Sequence, residues 1–306
     1  MNTPYHIRYV KRADIDIARW DQCIEESYNG VIYAYSFYLD HMSRHWDALL
    51  LNDYEAVMPI TWNRKWGISY LYQPAFTQRL GIFSRQAPDA GLIELFAHEI
   101  KKRFYFTEIF LHEASPFPGS EKRANYVLSL QPAYQTIRGE YKDRMNRGLR
   151  TAAKNDMLCR DTVDCGEIIA AFRSQYGSRI PQIGNRDYQS FMQLCETAKS
   201  KGMLIGKKVS SADGKPLAWG GFLKDKKRIY NIMPVTTALG RTREAGRFLM
   251  DQLIREFANH PLLLDFEGSD IPGVATFYQE FGAVNQPYFF FRYNQLPFPM
   301  RFLKKK

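Results

Sequence analysis

Two carboxylates and a phenol lie near the end of the chain in a pattern that suits proton transfer. Asp265 and Glu267 are two residues apart at the end of a predicted strand over 262–267, so their side chains are expected on one face of a sheet. Such a pair can orient or deprotonate an amine. A phenol such as Tyr278, with an ordinary pKa of about 10, can protonate a departing thiolate held close to it. The alternative is structural, with Tyr278 as a core residue and Glu267 as a helix or turn cap.

A stretch that suits an anion opens the predicted helix 240–259, with the sequence Gly240-Arg-Thr-Arg243-Glu-Ala-Gly246. A helix start offers unpaired backbone N–H groups and the positive end of the helix dipole, so it can hold phosphate without side-chain help. Arg241 and Arg243 add positive charge, and glycine at Gly246 allows a close backbone approach. The alternative is a basic helix start with Gly240 as a helix breaker.

Basic residues are concentrated in the middle of the chain, between 132 and 156. Arg147, Arg150 and Lys154 follow the spacing i, i+3 and i+7, which places three positive charges on one face of a helix. This face is either a solvated connecting helix or a docking surface for an anionic substrate or nucleic acid.

The first half of the chain contains a cluster of aromatic residues bordered by basic ones. Its members are Trp62, Trp66, Tyr70, Tyr72 and Phe76, bordered by Arg64, Lys65 and Arg79. Aromatic side chains beside cations can form a stacking groove for bases or sugars, whereas alternating aromatic residues on strands can also pack a core.

The elements that must position these residues repeat along the chain. Three strands over 47–51, 55–62 and 67–72 are joined by hairpin-length links, and three more follow at 204–209, 216–223 and 228–233. Both halves have the order β-α-α-β-β-β-α-β, about 150 residues apart as expected for domains of ordinary size. The pattern predicts an α/β (α+β) protein of two domains, each with a mixed, largely antiparallel sheet flanked by helices.

The element Tyr278-Gln-Glu-Phe-Gly282 resembles the Tyr-x-x-x-Gly element of the GNAT superfamily of N-acyltransferases. The longer pattern, Asp265-Phe-Glu-Gly-Ser269 followed by Phe277 to Gly282, is similar to the double-GNAT branch that includes Fem-type aminoacyl-tRNA-dependent ligases. The basic segment Arg144 to Lys154 is similar to the one that precedes the second domain of that branch. The resemblance implies two tandem GNAT-like domains: 1–131 as the scaffold or acceptor side, 132–156 as a basic connecting helix, and 157–306 with the active site.

The resemblance also implies roles for particular residues. Tyr278 is the expected acid, with Asp265 and Glu267 as its catalytic partners, and Tyr230, Asn231 and Ser269 are the expected substrate contacts. The pyrophosphate of an acyl-CoA donor, such as acetyl-CoA, is expected at Gly240, Arg241, Arg243 and Gly246. Glu244 and Phe248 depart from the family's pyrophosphate loop, because they bring a negative charge and replace a small residue.

Composition narrows the function without selecting one. The chain has 306 residues and a formal net charge of +10, which attracts polyanions or a phosphorylated cofactor. No signal peptide or membrane span is expected, so we predict a cytoplasmic location. The residues also predict no metal site, since the histidines and cysteines are dispersed.

Three functions remain open at this point. The first is an acyl-CoA-dependent N-acyltransferase that acts on a small-molecule or peptide amine. The second is a Fem-like aminoacyl-tRNA-dependent transferase that holds tRNA through Arg144–Lys154. The third is a non-catalytic double-GNAT protein that binds an anionic partner.

Overall fold

The computed structural model describes residues 5–162, 164–268 and 270–301. The elements up to residue 123 are β1 (Ile7–Val10), α1 (Ile17–Glu26), α2 (Ser36–Met42), β2 (His45–Leu51), β3 (Ala56–Lys65), β4 (Ile68–Tyr72), β5 (Phe83–Ser84), α3 (Ala90–Arg103), β6 (Phe106–Leu111) and β7 (Glu121–Arg123). Those that follow are β8 (Tyr126–Ser129), α4 (Tyr134–Gly139), α5 (Asp143–Ala153), β9 (Leu158–Asp161), α6 (Cys165–Tyr176), α7 (Asn185–Ser200), β10 (Leu204–Ser210), β11 (Pro216–Lys224), β12 (Arg228–Thr236), α8 (Ala238–Thr242), α9 (Ala245–Phe257), β13 (Leu263–Asp265), α10 (Pro272–Gln279), β14 (Val284–Asn285) and β15 (Tyr288–Asn294).

The strands form two sheets, one in each of two compact units. The first sheet has the order β1-β2-β3-β4-β6-β15-β7, with β5 beside β3, and the second has the order β14-β8-β13-β12-β11-β10-β9. Each contains one parallel pair, β4 with β6 and β12 with β13, and the other pairs are antiparallel. The predicted fold class, with mixed and largely antiparallel sheets in two domains, is confirmed.

The boundary between the units differs from the sequence-based one. The second unit is Ala124–Gln286, so β8 belongs to the second sheet, whereas β15 pairs with β6 and β7 in the first. The predicted second domain, 157–306, therefore loses its last strand. The reason is packing: Phe291 of β15 is buried edge-to-face against Phe117 in the first unit's core, a partnership that strand alternation cannot reveal.

The predicted connecting segment, 132–156, is also part of the second unit rather than a linker. It folds into α4 and α5, and Ile137, Met145 and Ala152 are buried in that unit's core. The charged residues of α5 lie on its other side, so the helix is amphipathic and packs on the domain that it precedes.

Helices cover both faces of the second sheet. A Cβ atom added at Gly220 of β11 would contact Leu249 of α9, whereas one added at Gly221 would contact Ile168 of α6. Since neighbouring residues of a strand point to opposite faces, α6 and α9 lie on opposite sides of the sheet.

The helix predicted over 240–259 is interrupted. It divides into α8 and α9 at Glu244, which has a left-handed backbone with φ of 60°. A Cβ at Gly240 would lie 2.1 Å from the carbonyl oxygen of Leu217, so only glycine lets α8 pack this closely against β11. Among the helices of the described ranges, none is both long and apolar enough to cross a membrane.

Candidate active site

The two parallel strands in the middle of the second sheet separate after a short paired stretch. Arg228, Ile229 and Tyr230 of β12 pair with Leu263, Leu264 and Asp265 of β13, where β13 ends. On its other side β12 stays paired with β11 as far as Thr236. The residues of β12 from 231 to 236 thus run beyond β13, and no described strand pairs with them on that side; the backbone of such a strand edge can bond to an extended ligand.

Two features of β12 mark this opening. A β-bulge lies at Ile232, because Gly221 pairs with Met233 whereas Phe222 pairs with Asn231. Pro234, which has no N–H to donate, occupies the part of the strand past the end of β13, as is typical of an edge.

Asn231 lies at the bulge with a buried and unsatisfied amide oxygen. Its side chain is 3% exposed, and Oδ1 has no hydrogen-bond partner among the residues that the structure describes. A buried polar atom without a partner costs free energy, so a ligand that donates a hydrogen bond to it would be favoured. Asn231 is one of the expected substrate contacts, and its surroundings suit that role.

Asp265 ends β13 as a fully buried carboxylate. Its Oδ2 lies 3.1 Å from Nη1 of Arg228, which also donates to Gln286 at 2.8 Å, and its Oδ1 accepts the backbone N–H of Glu267 at 3.1 Å. The guanidinium compensates the buried charge, and the N–H bond fixes the turn after the strand. Asp265 is thus held by the fold and positions its neighbour.

Glu267 does not share a strand face with Asp265, contrary to the sequence-based expectation. The strand ends at Asp265, and Glu267 adopts a left-handed backbone with φ of 69°. The alternation of side chains applies only within a strand, so it does not extend to Glu267. This side chain is half-buried, whereas that of Asp265 is enclosed.

Tyr278 lies in α10 with its ring in the core of the second unit. The ring stacks on Phe266 at a centroid distance of 4.6 Å, next to Tyr126 at 6.2 Å. Burial raises the pKa of Tyr278 well above its ordinary value, and the negative charges of Glu267 and Asp265 raise this pKa further. The structure therefore brings the three predicted catalytic residues into one electrostatic neighbourhood, and it keeps the phenol protonated.

The predicted anion-binding residues surround the junction of α8 and α9. Arg241 is exposed and donates from Nη1 to the carbonyl oxygen of Thr236 at 2.8 Å, and Arg243 caps the end of α8. A Cβ at Gly246 would lie 2.9 Å from Oγ1 of Thr236, the last residue of β12. The start of α9 thus contacts the end of β12. The first hydrogen bond of α9 joins the N–H of Phe248 to the carbonyl oxygen of Glu244.

The charge of Glu244 is compensated by a neighbour that sequence analysis missed. Arg247, 12% exposed, bonds to Glu244 and donates from Nη2 to the nearly buried Glu280 at 2.7 Å. Arg144 of α5 lies 3.5 Å from the same carboxyl. Because two arginines balance two glutamates, Glu244 does not leave a net negative charge at the start of α9.

The side chain of Tyr230, one of the expected substrate contacts, is directed into the fold. Its side chain is fully buried, and the hydroxyl donates to Oδ2 of Asp225 at 2.6 Å in the turn that precedes β12. Asp225 also accepts the N–H of Arg228 at 2.7 Å, so Tyr230 stabilises this turn. Ser269, the third predicted contact, lies outside the described residues.

The basic face of α5 is exposed as predicted. Its cations are Arg144, Arg147, Arg150 and Lys154. One turn after Arg144, a Cβ at Gly148 would lie 2.6 Å from Cδ of Arg247, so glycine brings α5 close to α9. Within the described ranges, no group of three or more His, Cys, Asp and Glu side chains has a metal-binding arrangement.

Arg228 is the most consequential site residue that sequence analysis missed. The sequence contains a signal for it. Arg228 begins a predicted strand of mostly apolar residues, and Asp265 follows three leucines in another predicted strand. Buried charges occur in pairs, so the two positions are candidates for one ion pair. Strand order, which the sequence does not state, is needed to bring them together.

Comparison with known proteins supports the fold. No protein-family model and no curated protein sequence matches the chain. Among solved structures, FemX superposes with a TM-score of 0.67 at 10% identity, over 95% of this chain and 99% of FemX. A conserved protein of unknown function from Bacteroides thetaiotaomicron gives a TM-score of 0.58 at 11% identity, over 94% and 98%. A tandem GNAT protein from the clavulanic acid biosynthesis pathway gives 0.55 at 10% identity, over 95% and 99%. At these identities the likeness concerns the fold, and the chain has the tandem GNAT-like fold that its sequence predicted.

Proposed function

We propose that the protein is an N-acyltransferase that moves an acyl group from an acyl-CoA to an amine at the opening between β12 and β13. The observation that carries this proposal is the end of β13 at Asp265, which leaves residues 231–236 of β12 free of a strand partner on that side. An extended donor arm of alternating amide and methylene groups suits such a strand edge. The buried Oδ1 of Asn231 offers it an acceptor.

The start of α9 suits the phosphates of the donor. This helix has thirteen residues, and its first turn lies against the end of β12, because Gly246 packs on Thr236. The backbone N–H groups of its first turn and the positive end of its dipole favour a pyrophosphate, and Arg241 and Arg243 add positive charge. In this proposal the ion pair of Glu244 with Arg247 removes the repulsion that a free carboxylate would cause.

The catalytic residues divide the proton transfers between them. The donor supplies an activated thioester, and Glu267, half-buried beside the opening, takes the proton from the attacking amine. Asp265 positions Glu267 through its backbone N–H. Tyr278 remains protonated at neutral pH and passes its proton to the departing thiolate as the proton that Glu267 took from the amine returns to the phenol oxygen, so that no tyrosinate is left behind.

A second donor, an aminoacyl-tRNA, is favoured by one observation. The four cations on the exposed face of α5 form a surface for phosphates, and Arg144 contacts Glu280 in the Tyr-x-x-x-Gly element. Either donor is available in the cytoplasm, which we propose as the location.

The first experiment is a binding comparison. We expect acetyl-CoA to raise the melting temperature of the protein, since saturation at a hundred times Kd stabilises a fold by about 2.7 kcal/mol. Stabilisation by bulk aminoacyl-tRNA, without an effect of acetyl-CoA or longer acyl-CoAs, would instead support the second donor. If neither ligand shifts the melting temperature, the non-catalytic alternative is favoured.

A glycine substitution tests where the donor binds. We expect Gly246→Val to weaken acetyl-CoA binding by about tenfold or more, because the side chain displaces the start of α9 from Thr236 and blocks the backbone approach. Gly139→Val is the matched control, because a Cβ at Gly139 meets no atom within 4 Å. Titration calorimetry gives both affinities, and equal binding by a folded Gly246→Val variant would refute this assignment.

A further inference from the structure

A groove in the first unit combines apolar walls with an exposed tryptophan. It has a volume of about 350 Å³, and its lining includes Trp66, Lys65, Ile68, Phe106, Leu296 and Met300. Every lining residue belongs to the first unit, whereas the residues of the proposed chemistry belong to the second. No carboxylate is among the described residues that line it.

Trp66 occupies a position where its residue type is unexpected. With Gly67 it forms the two-residue turn between β3 and β4, and both have positive φ, 51° and 79°. Such turns favour asparagine followed by glycine, whereas a bulky side chain is strained in this conformation. The ring is 68% exposed, so packing does not compensate the strain. An unfavourable backbone that carries an exposed aromatic ring indicates a role outside the fold.

Further exposed aromatic rings and cations lie on the segments that line the groove. Tyr105 is 61% exposed, and its carbonyl oxygen accepts the N–H of Gln295, which leads into the segment carrying Phe298, itself 83% exposed. Lys65 places Nζ 4.7 Å from the centroid of the Trp66 ring. Exposed Arg64 donates to the carbonyl oxygen of Gly67 at 3.0 Å, which braces the turn. Exposed aromatic rings beside cations are typical of surfaces that enter the interfacial layer of a membrane.

We propose that this face of the first unit binds the surface of an anionic lipid bilayer. Trp66 and Phe298 enter the boundary between headgroups and acyl chains, while Lys65 and Arg64 contact lipid phosphates. The groove accepts apolar lipid segments, because Ile68, Leu296 and Met300 line it. Trp66, Tyr70 and Phe106 also line the groove, but three aliphatic side chains stand among these rings, and such a mixed wall favours a lipid chain over bases, which stack on flat aromatic faces. The formal net charge of +10 draws the chain to a negative surface.

The tryptophans of the chain provide a direct test. Of the five, Trp66 is the strongly exposed one, whereas Trp20, Trp46 and Trp219 are buried and Trp62 is half-buried. Vesicles of phosphatidylcholine mixed with phosphatidylglycerol should therefore shift the emission of the full chain to shorter wavelength and sediment the protein. Vesicles of phosphatidylcholine alone should do neither, and added salt should reduce the binding.

Two substitutions at Trp66 separate the fluorophore from the anchor. Trp66→Phe should retain most sedimentation with mixed vesicles but lose the emission shift. Trp66→Asn combined with Phe298→Ser should reduce sedimentation about tenfold, since asparagine suits the turn and both apolar anchors are removed. Tyr28→Ser, at another exposed aromatic residue of the same unit, is the control and should bind like the unaltered protein.

Three outcomes would overturn the proposal. These are equal sedimentation with and without phosphatidylglycerol, equal losses in the double variant and in the Tyr28→Ser control, and bound protein with unshifted emission. A shift caused by single-stranded RNA that also displaces the vesicles would assign the surface to nucleic acid. Circular dichroism melts confirm that each variant is folded, and none of these measurements depends on acyl transfer.

Discussion

The parallel strand pairs of the two units begin alike and end differently. In the first sheet Tyr70, Leu71 and Tyr72 of β4 pair with Phe106, Thr107 and Glu108 of β6, which is again a three-residue register. Beyond this paired stretch, two residues of the segment between β4 and β5 form hydrogen bonds with β6. Oε1 of Gln73 accepts the N–H of Phe110 at 3.0 Å, and the N–H of Leu80 donates to the oxygen of Phe110 at 2.9 Å.

The corresponding stretch of the second sheet has no such insertion. β13 ends at Asp265, and β12 continues through the bulge at Ile232 to Thr236. One sheet has therefore closed its opening with its own backbone, whereas the other leaves a buried amide oxygen at Asn231 without a partner in the described chain. Buried side-chain atoms without a partner among the described residues also occur in the first unit, such as Oγ1 of Thr107, so it is the strand edge beside β12 that supports placing a ligand in the second unit and a scaffold role in the first.

The largest expected effect concerns the ion pairs of the two sheets. Arg228→Leu should destabilise the protein by about 3–5 kcal/mol, because it leaves the fully buried Asp265 without its cation. Arg292→Leu is the matched change in the first sheet, where the pair with Glu108 is partly exposed, and should cost about 0–1 kcal/mol. Urea unfolding measures both free energies. Equal losses would show that the ion pair in the second sheet is no more important than its counterpart.

The next effect is on turnover. Tyr278→Phe should lower acyl transfer about 10²-fold by removing the proton donor, while the stacking on Phe266 and the stability remain. Because the pKa of Tyr278 is raised, its hydroxyl stays protonated across neutral and mildly alkaline pH, so no loss of rate in that range should come from this group. Thiol release from acetyl-CoA with a panel of amines gives the rates.

Tyr126→Phe is the control for this prediction. Tyr126 belongs to the same aromatic cluster and is 7% exposed, as is Tyr278. Full turnover in Tyr278→Phe, or the same loss in both variants, would make Tyr278 a structural residue.

Closure of the first sheet predicts a smaller effect. Gln73→Leu removes the acceptor of the part-buried Phe110 N–H and should destabilise the protein by about 1 kcal/mol, the typical contribution of a hydrogen bond. Turnover should not change if the chemistry belongs to the second unit. A loss of turnover with unchanged stability would contradict the scaffold role.

The sequence was informative where local pattern decides the structure. Alternation and turn residues predicted β10 and β11 to within one residue and the start of β12, which runs three residues further than predicted, and the Tyr-x-x-x-Gly element located α10. Strand order, by contrast, depends on long-range packing, so the pairing of β15 with β6 was missed. The site followed the same division. Tyr278, Asp265 and Glu267 were predicted from residue type, spacing and the family resemblance, whereas the Arg228 ion pair and the left-handed turn at Glu267 depend on contacts between distant segments.

The smallest expected change in stability has the opposite sign and separates function from folding. Asn231→Leu replaces a buried amide, whose Oδ1 has no partner in the described residues, by an apolar side chain of similar size. Removing an unsatisfied polar atom should leave the stability unchanged or raise it by about 1 kcal/mol, whereas binding of acetyl-CoA should weaken because the ligand loses its acceptor. Gln73→Leu makes the same chemical change where the amide is bonded, so its stability should fall while its ligand binding stays intact. Urea unfolding and titration calorimetry on both variants give four values. If Asn231→Leu is instead destabilised like Gln73→Leu and binds ligand normally, Asn231 stabilises the fold and the opening beside β12 needs another explanation.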